Sequence, residues 1–212
     1  MGLMTFAELQ NDIAENLAGK NLNPARLKRF VNNGIQDLCT RMQFDELFVT
    51  EPFFVQDGVT TYPVPTDLLG IHAILINGTL LRKMERQWSE KDVTPAQPSY
   101  YKRREAEIIV WAEPDQFYEG YIEYYKVPPQ LTEGTDVTLI PKYWDQAIVF
   151  LGTYHGWLSL GELDTAETWK NAFARYQNKR LTDEDISADI QHEGLNVAWE
   201  YSHLVDNPPH VS

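Results

Sequence analysis

Phe48-Val49-Thr50-Glu51-Pro52-Phe53-Phe54-Val55-Gln56-Asp57-Gly58-Val59-Thr60-Thr61-Tyr62 is where the chain changes character. Before it, apolar residues recur at three- and four-residue intervals. Within and after it they gather in short β-branched and aromatic runs bounded by turn residues. Asp57-Gly58 separates Phe53–Val55 from Val59–Tyr62 and supplies the positive φ of a tight turn, so the stretch predicts a β-hairpin. Pro63 and Pro65 close it. Asn77-Gly78, after the apolar run 71–76, predicts a second hairpin with Leu80 and Leu81 on its return arm. Three further strands are expected at 99–102, 107–111 and 120–125. In the last, Tyr121, Glu123 and Tyr125 alternate with Ile122 and Tyr124 at the period of two of a half-buried strand. Residues 84–99, broken by Pro95 and Pro98, read as a loop or short helix.

Toward the N-terminus the period becomes helical. Thr5 with Glu8 three residues on forms a capping box, followed by Phe6, Leu9, Ile13 and Leu17 on one side; Gly19 and Asn21 are the expected stop. Asn23-Pro24 opens a second helix, because proline loses nothing at a first helical position. Leu27, Phe30, Val31, Ile35, Leu38 and Met42 are its apolar stripe. Gly34 inside that stripe costs about 1 kcal/mol of helix propensity, which points to a close helix crossing.

Toward the C-terminus, Pro141 opens a third helix whose broad apolar face includes Trp144, Ile148, Leu151 and His155, stopped by Leu160-Gly161. Asp164 with Glu167 reads as the cap of a fourth helix, with Ala166, Trp169, Phe173, Ala174 and Tyr176 as its inner set. These signals predict an α+β chain: a small antiparallel helical bundle from the N- and C-terminal helices, with an inserted, mainly antiparallel β domain and an extended C-terminal tail. The expected bounds are 1–48 and 137–180 for the bundle, 49–136 for the insertion and 181–212 for the tail.

The chain has 212 residues, a formal net charge of -13 and one cysteine. An internal disulfide and a cysteine-rich metal cage are therefore excluded. No apolar run reaches the roughly 18 residues of a membrane span, so no membrane partner is expected. The acidity argues against a sequence-reading nucleic-acid binder. After Arg180 there is no Lys or Arg, while Asp183, Glu184, Asp185, Asp189, Glu193, Glu200 and Asp206 follow. Such a tail repels itself. Trp199, Tyr201, Leu204 and Val205 within it are the expected partner-binding residues, ordered when another chain supplies a surface.

Dinucleotide, phosphate-loop, zinc-protease, calcium-loop and nucleophile-elbow patterns are all missing from the sequence, so no catalytic, cofactor or metal residues are assigned. Cys39 is expected to be a small core residue, and His155 a structural one. His72 reads as a polar rim position. Glu105 and Glu107 are read as sharing a strand face. His192, Glu193, His203 and Asp206 match no local zinc spacing. Tyr100, Tyr101, Lys102, Arg103 and Arg104 combine rings with cations. They read as a protein-contact surface or, alternatively, as the face of a nucleic-acid-associated module. An enzyme with a dispersed site is a third reading. Trp88, Tyr118, Tyr143 and Trp199 stand in polar surroundings, as interface aromatics do.

The order of these features resembles the head-to-tail connector adaptor proteins of tailed bacteriophages, the group that includes tail tubular protein A, or gatekeeper, proteins. The resemblance is carried by Met4–Leu9 (MTFAEL), Arg26–Leu38 (RLKRFVNNGIQDL), Tyr62–Ile71 (YPVPTDLLGI), Pro98–Tyr101 (PSYY), Ile108–Asp115 (IIVWAEPD), Ile122–Pro129 (IEYYKVPP) and Pro141–Ala147 (PKYWDQA). It covers about residues 4 to 178. It implies a non-enzymatic virion protein without a cofactor, assembled in the host cytoplasm. By that resemblance neighbouring copies are expected to form a twelve-subunit ring beneath the portal protein. The ring would extend the channel through which DNA passes without sequence-specific binding and would dock the tail or nozzle protein. By the same analogy Trp199, Tyr201, Leu204 and Val205 are portal anchors.

Overall fold

In the computed structural model, which describes residues 3–18, 20, 22–84 and 94–182, α1 (Phe6–Asn16) starts at the expected capping box. Thr5 Oγ1 accepts the Glu8 N–H at 3.3 Å, and Glu8 Oε2 accepts the Thr5 N–H at 2.7 Å. The next free donors, Phe6 N–H and Ala7 N–H, go to the carbonyls of Asp136 and Gly134. The helix ends at Asn16, with Leu17 as its C-cap, buried and with its N–H bonded to Ile13 O; Gly19 and Asn21 lie outside the described residues. In α2 (Pro24–Arg41) the Asn23 Oδ1 accepts the Ala25 N–H at 2.9 Å, with Pro24 in the first turn as predicted.

A single 3₁₀ turn (Lys142–Trp144) follows Pro141 and leads into α3 (Asp145–Ser159). Leu160 and Gly161, the latter at φ +81°, end it. α4 spans Leu163–Thr182. Asp164 therefore sits inside its first turn, not at the cap, where its charge still favours the N-terminal end of the helix dipole. Ala166 and Phe173 are buried, while Ala174 of the expected inner set is exposed.

α3 is the hub of the helical unit and packs against α1, α2 and α4. Ala147, Ile148, Val149, Leu151, Gly152, Thr153 and Gly156 are all buried, as expected of a helix apolar on most sides. The Gly34 crossing is real: a Cβ there would lie 2.8 Å from Gly152 N and 2.9 Å from Ile148 O. On the side toward α1, Ile13 and Leu17 fill the notches left by Gly152 and Gly156. Phe150 meets Trp169 and Tyr176 at ring separations of 5.9 and 5.7 Å, holding α4 in place.

The chain divides into this unit, built from the described residues up to Leu47 and from Pro128 onward, and a second unit, Phe48–Val127. Residues 128–136, placed by sequence in the insertion, bond to the helices. The Asn32 side chain accepts the Leu131 N–H and donates to the Leu131 carbonyl, at 2.9 and 3.1 Å. A side-chain amide that matches a peptide group in this way leaves no sequence signal.

Among its described residues the second unit has eight strands: β1 (Phe48–Pro52), β2 (Thr61–Pro63), β3 (Leu68–Ile76), β4 (Thr79–Leu80), β5 (Arg82–Lys83), β6 (Tyr100–Arg104), β7 (Glu107–Trp111) and β8 (Gly120–Lys126). They form two four-stranded sheets, ordered β1-β8-β3-β4 and β2-β7-β6-β5. All pairings are antiparallel except the short parallel β5–β6 contact. Val55, Ile74, Ile76, Ile108, Val110, Ile122 and Tyr124 are central to their shared core. The chain passes from one sheet to the other at Leu81, whose N–H still bonds Ile74 O while Arg82 N–H bonds Ser99 O. A strand that changes sheets in this way makes a corner of the sandwich.

Asn77-Gly78 turns the β3–β4 hairpin with φ of 47° and 72°, as read from sequence. Asp57-Gly58 turns the chain but makes no hairpin. Val55 bridges Tyr118, and β2 pairs with β7. Its two arms part because each finds a partner far along the chain. Glu105, expected on a strand face beside Glu107, occupies the β6–β7 turn at φ 52°.

Candidate interaction surfaces

A sandwich gives each sheet an inner face toward the core and an outer face away from it, and strand alternation sorts the side chains. On β6, Tyr101 points inward and is 5% exposed. Tyr100, Lys102 and Arg104 are of opposite parity and line the outer face, where Arg82 pairs beside Tyr100 and Trp111 lies opposite it. Arg103 reaches the Leu69 carbonyl at 3.4 Å. The structure thus divides the five residues singled out in sequence. Tyr100, Lys102 and Arg104 share one face with Arg82 and with Glu107, which stands opposite Arg104 in the register, a surface of three cations, one carboxylate and aromatic rings.

The outer face of the other sheet has different chemistry. Pro52, Tyr121, Leu75 and Leu80 form one cross-strand row through the register of β1, β8, β3 and β4. Tyr121 is 56% exposed and Leu80 59%. Phe54 and Phe117 have the same outward parity; they stack at 5.9 Å with 24° between planes, and both are more than half exposed. Glu119 and Glu123 are the charged residues of β8 and its lead-in on this side. Farther along the face, Phe48, His72 and Tyr125 meet edge to face. Sequence reading did not single out the Phe54, Leu80, Phe117 and Tyr121 patch. A signal was present: of the adjacent Phe53-Phe54 pair, strand alternation sends only one ring to the core.

The other candidates have structural explanations. Tyr118, expected at an interface, is buried in the sandwich, with its hydroxyl donating to Asp115. Tyr143 is half-buried against Trp144 at 5.9 Å. Cys39 is 5% exposed, and burial pushes its thiol up to about 12, so it is not a thiolate nucleophile at neutral pH. His155 Nε2 lies 3.4 Å from Asp37 Oδ2, and Arg41 Nε donates to Asp37 Oδ1 at 2.7 Å. Burial alone would raise Asp37. The contacts from His155 and Arg41 outweigh it and hold the carboxyl below its ordinary range. This trio joins α2 to α3. Asp145, 5% exposed, accepts the Met4 N–H at 3.0 Å, and burial raises its pKa.

No group of three or more His, Cys, Asp or Glu residues able to hold a metal occurs among the described residues. Trp88, His192, Trp199, Tyr201, His203, Leu204, Val205 and the rest of 183–212 lie outside the described residues. Among the described helices none is long and apolar enough to cross a membrane.

A protein-family comparison gives a match over residues 4–193 to the family described as SU10 adaptor protein. No curated protein matches the chain.

Proposed function

The chain belongs to the SU10 adaptor protein family, and from that premise we propose that it is a non-enzymatic structural part of a phage head–tail connector. In this reading, copies form a ring beneath the portal protein, extend the DNA channel and offer the tail or nozzle its docking surface. The observation that carries it is the extent of the family match, residues 4–193 of 212. The reading places the chain in the virion. Trp199, Tyr201, Leu204 and Val205 would anchor it on the portal. They lie beyond the matched residues, so their role rests on the composition of 183–212. A net charge of -13 also suits a channel wall that repels DNA phosphates and lets the duplex slide.

The mass of the chain alone, and after mixing with a purified portal ring, tests the proposal. A portal complex that is lost when the chain is cut after Thr182 is the expected result. A full chain that leaves the portal unbound at high concentration refutes it. The outer face bearing Arg82, Tyr100, Lys102 and Arg104 supports a second reading, nucleic-acid contact. That reading requires duplex or single-strand binding that weakens steeply with salt and disappears in Lys102→Glu/Arg104→Glu.

A further inference from the structure

The two outer faces of the β unit are complementary to each other and cannot meet within one unit. One presents Phe54, Leu80, Phe117 and Tyr121 with Glu119 and Glu123. The other presents Arg82, Tyr100, Lys102 and Arg104, with Glu107 opposite Arg104. They point away from one another across a shared core. A patch of stacked, half-exposed rings is unusual on a lone soluble domain and marks an interaction site. Arginine and lysine are attracted to the faces of Phe and Tyr rings, and carboxylates at the edge of such a patch pair with the same cations.

We propose that the acidic, aromatic face of one copy's β unit packs on the basic, aromatic face of the next copy's. This deepens the adaptor reading and rests on it. The occupant is a second copy because one chain carries both halves of the contact: Glu119 and Glu123 beside three rings on one face, and on the other an excess of cations, Arg82, Lys102 and Arg104 against Glu107, around Tyr100. A two-fold pairing of either face with itself is disfavoured. It would set Glu119 and Glu123 against their own counterparts, or Lys102 and Arg104 against theirs, and like charges at an interface reject that arrangement. The contact is therefore head-to-tail. Each copy uses one face and leaves the other free, so the interaction repeats and closes into a ring when the rotation per copy allows it.

Cross-linking and charge reversal test this together on the full chain. Leu80→Cys is mixed with Lys102→Cys and joined with a short bis-maleimide; the native Cys39 is buried and stays unreactive. A dimer joining the two different variants, exceeding either self-joined dimer, is expected. Sedimentation of Lys102→Glu/Arg104→Glu and of Glu119→Lys/Glu123→Lys should show self-association weakened on the order of tenfold or more, and a chain carrying all four changes should recover it. These positions are on the surface, and a thermal melt of each variant confirms that the fold survives.

Leu80→Cys joined mainly to itself, or assembly indifferent to all four reversals, overturns the proposal. If such indifferent assembly still forms on a portal ring, the adaptor reading stands and only the pairing of faces falls. If the chain neither self-associates nor binds the portal, both fall. Saturable DNA binding through Lys102 and Arg104 by a chain that stays monomeric also overturns it.

Discussion

The helical unit and the β unit use their surfaces in opposite ways. In the helical unit the central helix α3 is buried by three others, and Gly34, Gly152 and Gly156 let backbones and aliphatic side chains approach closely. In the β unit one core is shared by two sheets, yet one outer face keeps four large apolar residues more than half exposed while the other carries exposed Arg82 and Arg104 and half-buried Lys102. A helix can bury most of its circumference by adding neighbours. Each sheet of a two-layer sandwich buries only one face in the shared core. Within the described residues, the helical unit buries its apolar faces among its own helices, and the sandwich carries the exposed apolar patch.

The most damaging way to test that contrast is to add one methyl group to each unit. A Cβ on Gly120 would lie 2.2 Å from the Leu75 carbonyl oxygen, and one on Gly34 would lie 2.8 Å from Gly152 N. Both obstacles are backbone and cannot rotate away, so Gly120→Ala and Gly34→Ala should each cost about 3 kcal/mol or more. Gly120→Ala is expected to be the worse, because it parts β3 from β8. Urea titration measures both. Gly152→Ala meets Ile13 Cδ1, the far end of a side chain, and should cost less than Gly34→Ala; an equal cost would mean that α1 cannot adjust.

Removing the α1 cap is the next step down. Thr5→Ala should lower stability by about 1 kcal/mol, read as a shift of the denaturant midpoint without a change of slope.

Half-buried Asp37 and buried Asp145 give the helical unit a pH dependence with opposing signs. Asp37 has a lowered folded pKa, so its contribution is present above the unfolded value and is lost as pH falls through the folded one. Asp145 has a raised folded pKa, so stability declines as pH rises from the ordinary carboxylate range through the folded value. Asp145→Asn keeps an acceptor for the Met4 N–H and should remove that decline, while Asp37→Asn should remove the loss at low pH. Melting curves across acid to neutral pH check both signs.

The smallest effect on stability should come from the open patch. Tyr121→Ser and Phe117→Ser are expected within about 0.5 kcal/mol of the parent while changing self-association. A large loss of stability would mean that these rings support the fold, and the contrast between the two units would weaken.

How much of this was legible beforehand follows from the range of each interaction. The capping box at Thr5 and Glu8, the Asn23-Pro24 start, the Asn77-Gly78 turn and the close crossing at Gly34 each depend on a few adjacent residues. The sequence by itself determined them, together with the helices-β-helices order and the inward place of Cys39; β1 at Phe48–Pro52 was not read, and Phe53–Val55 forms only the Val55 bridge. The Asp57-Gly58 turn was legible as a turn but not in its pairing, because Val55 joins Tyr118 and Thr61 joins Ile109. Only the tertiary structure decided those partners, the switch of sheets at Leu81 and the anchoring of Leu131 by Asn32. It also decided that Tyr101 and Tyr118 serve the core while Phe54, Phe117 and Tyr121 do not. Such outcomes depend on which distant strand supplies the neighbouring hydrogen bonds, and that choice is set by packing of the whole sandwich, not by local backbone preference.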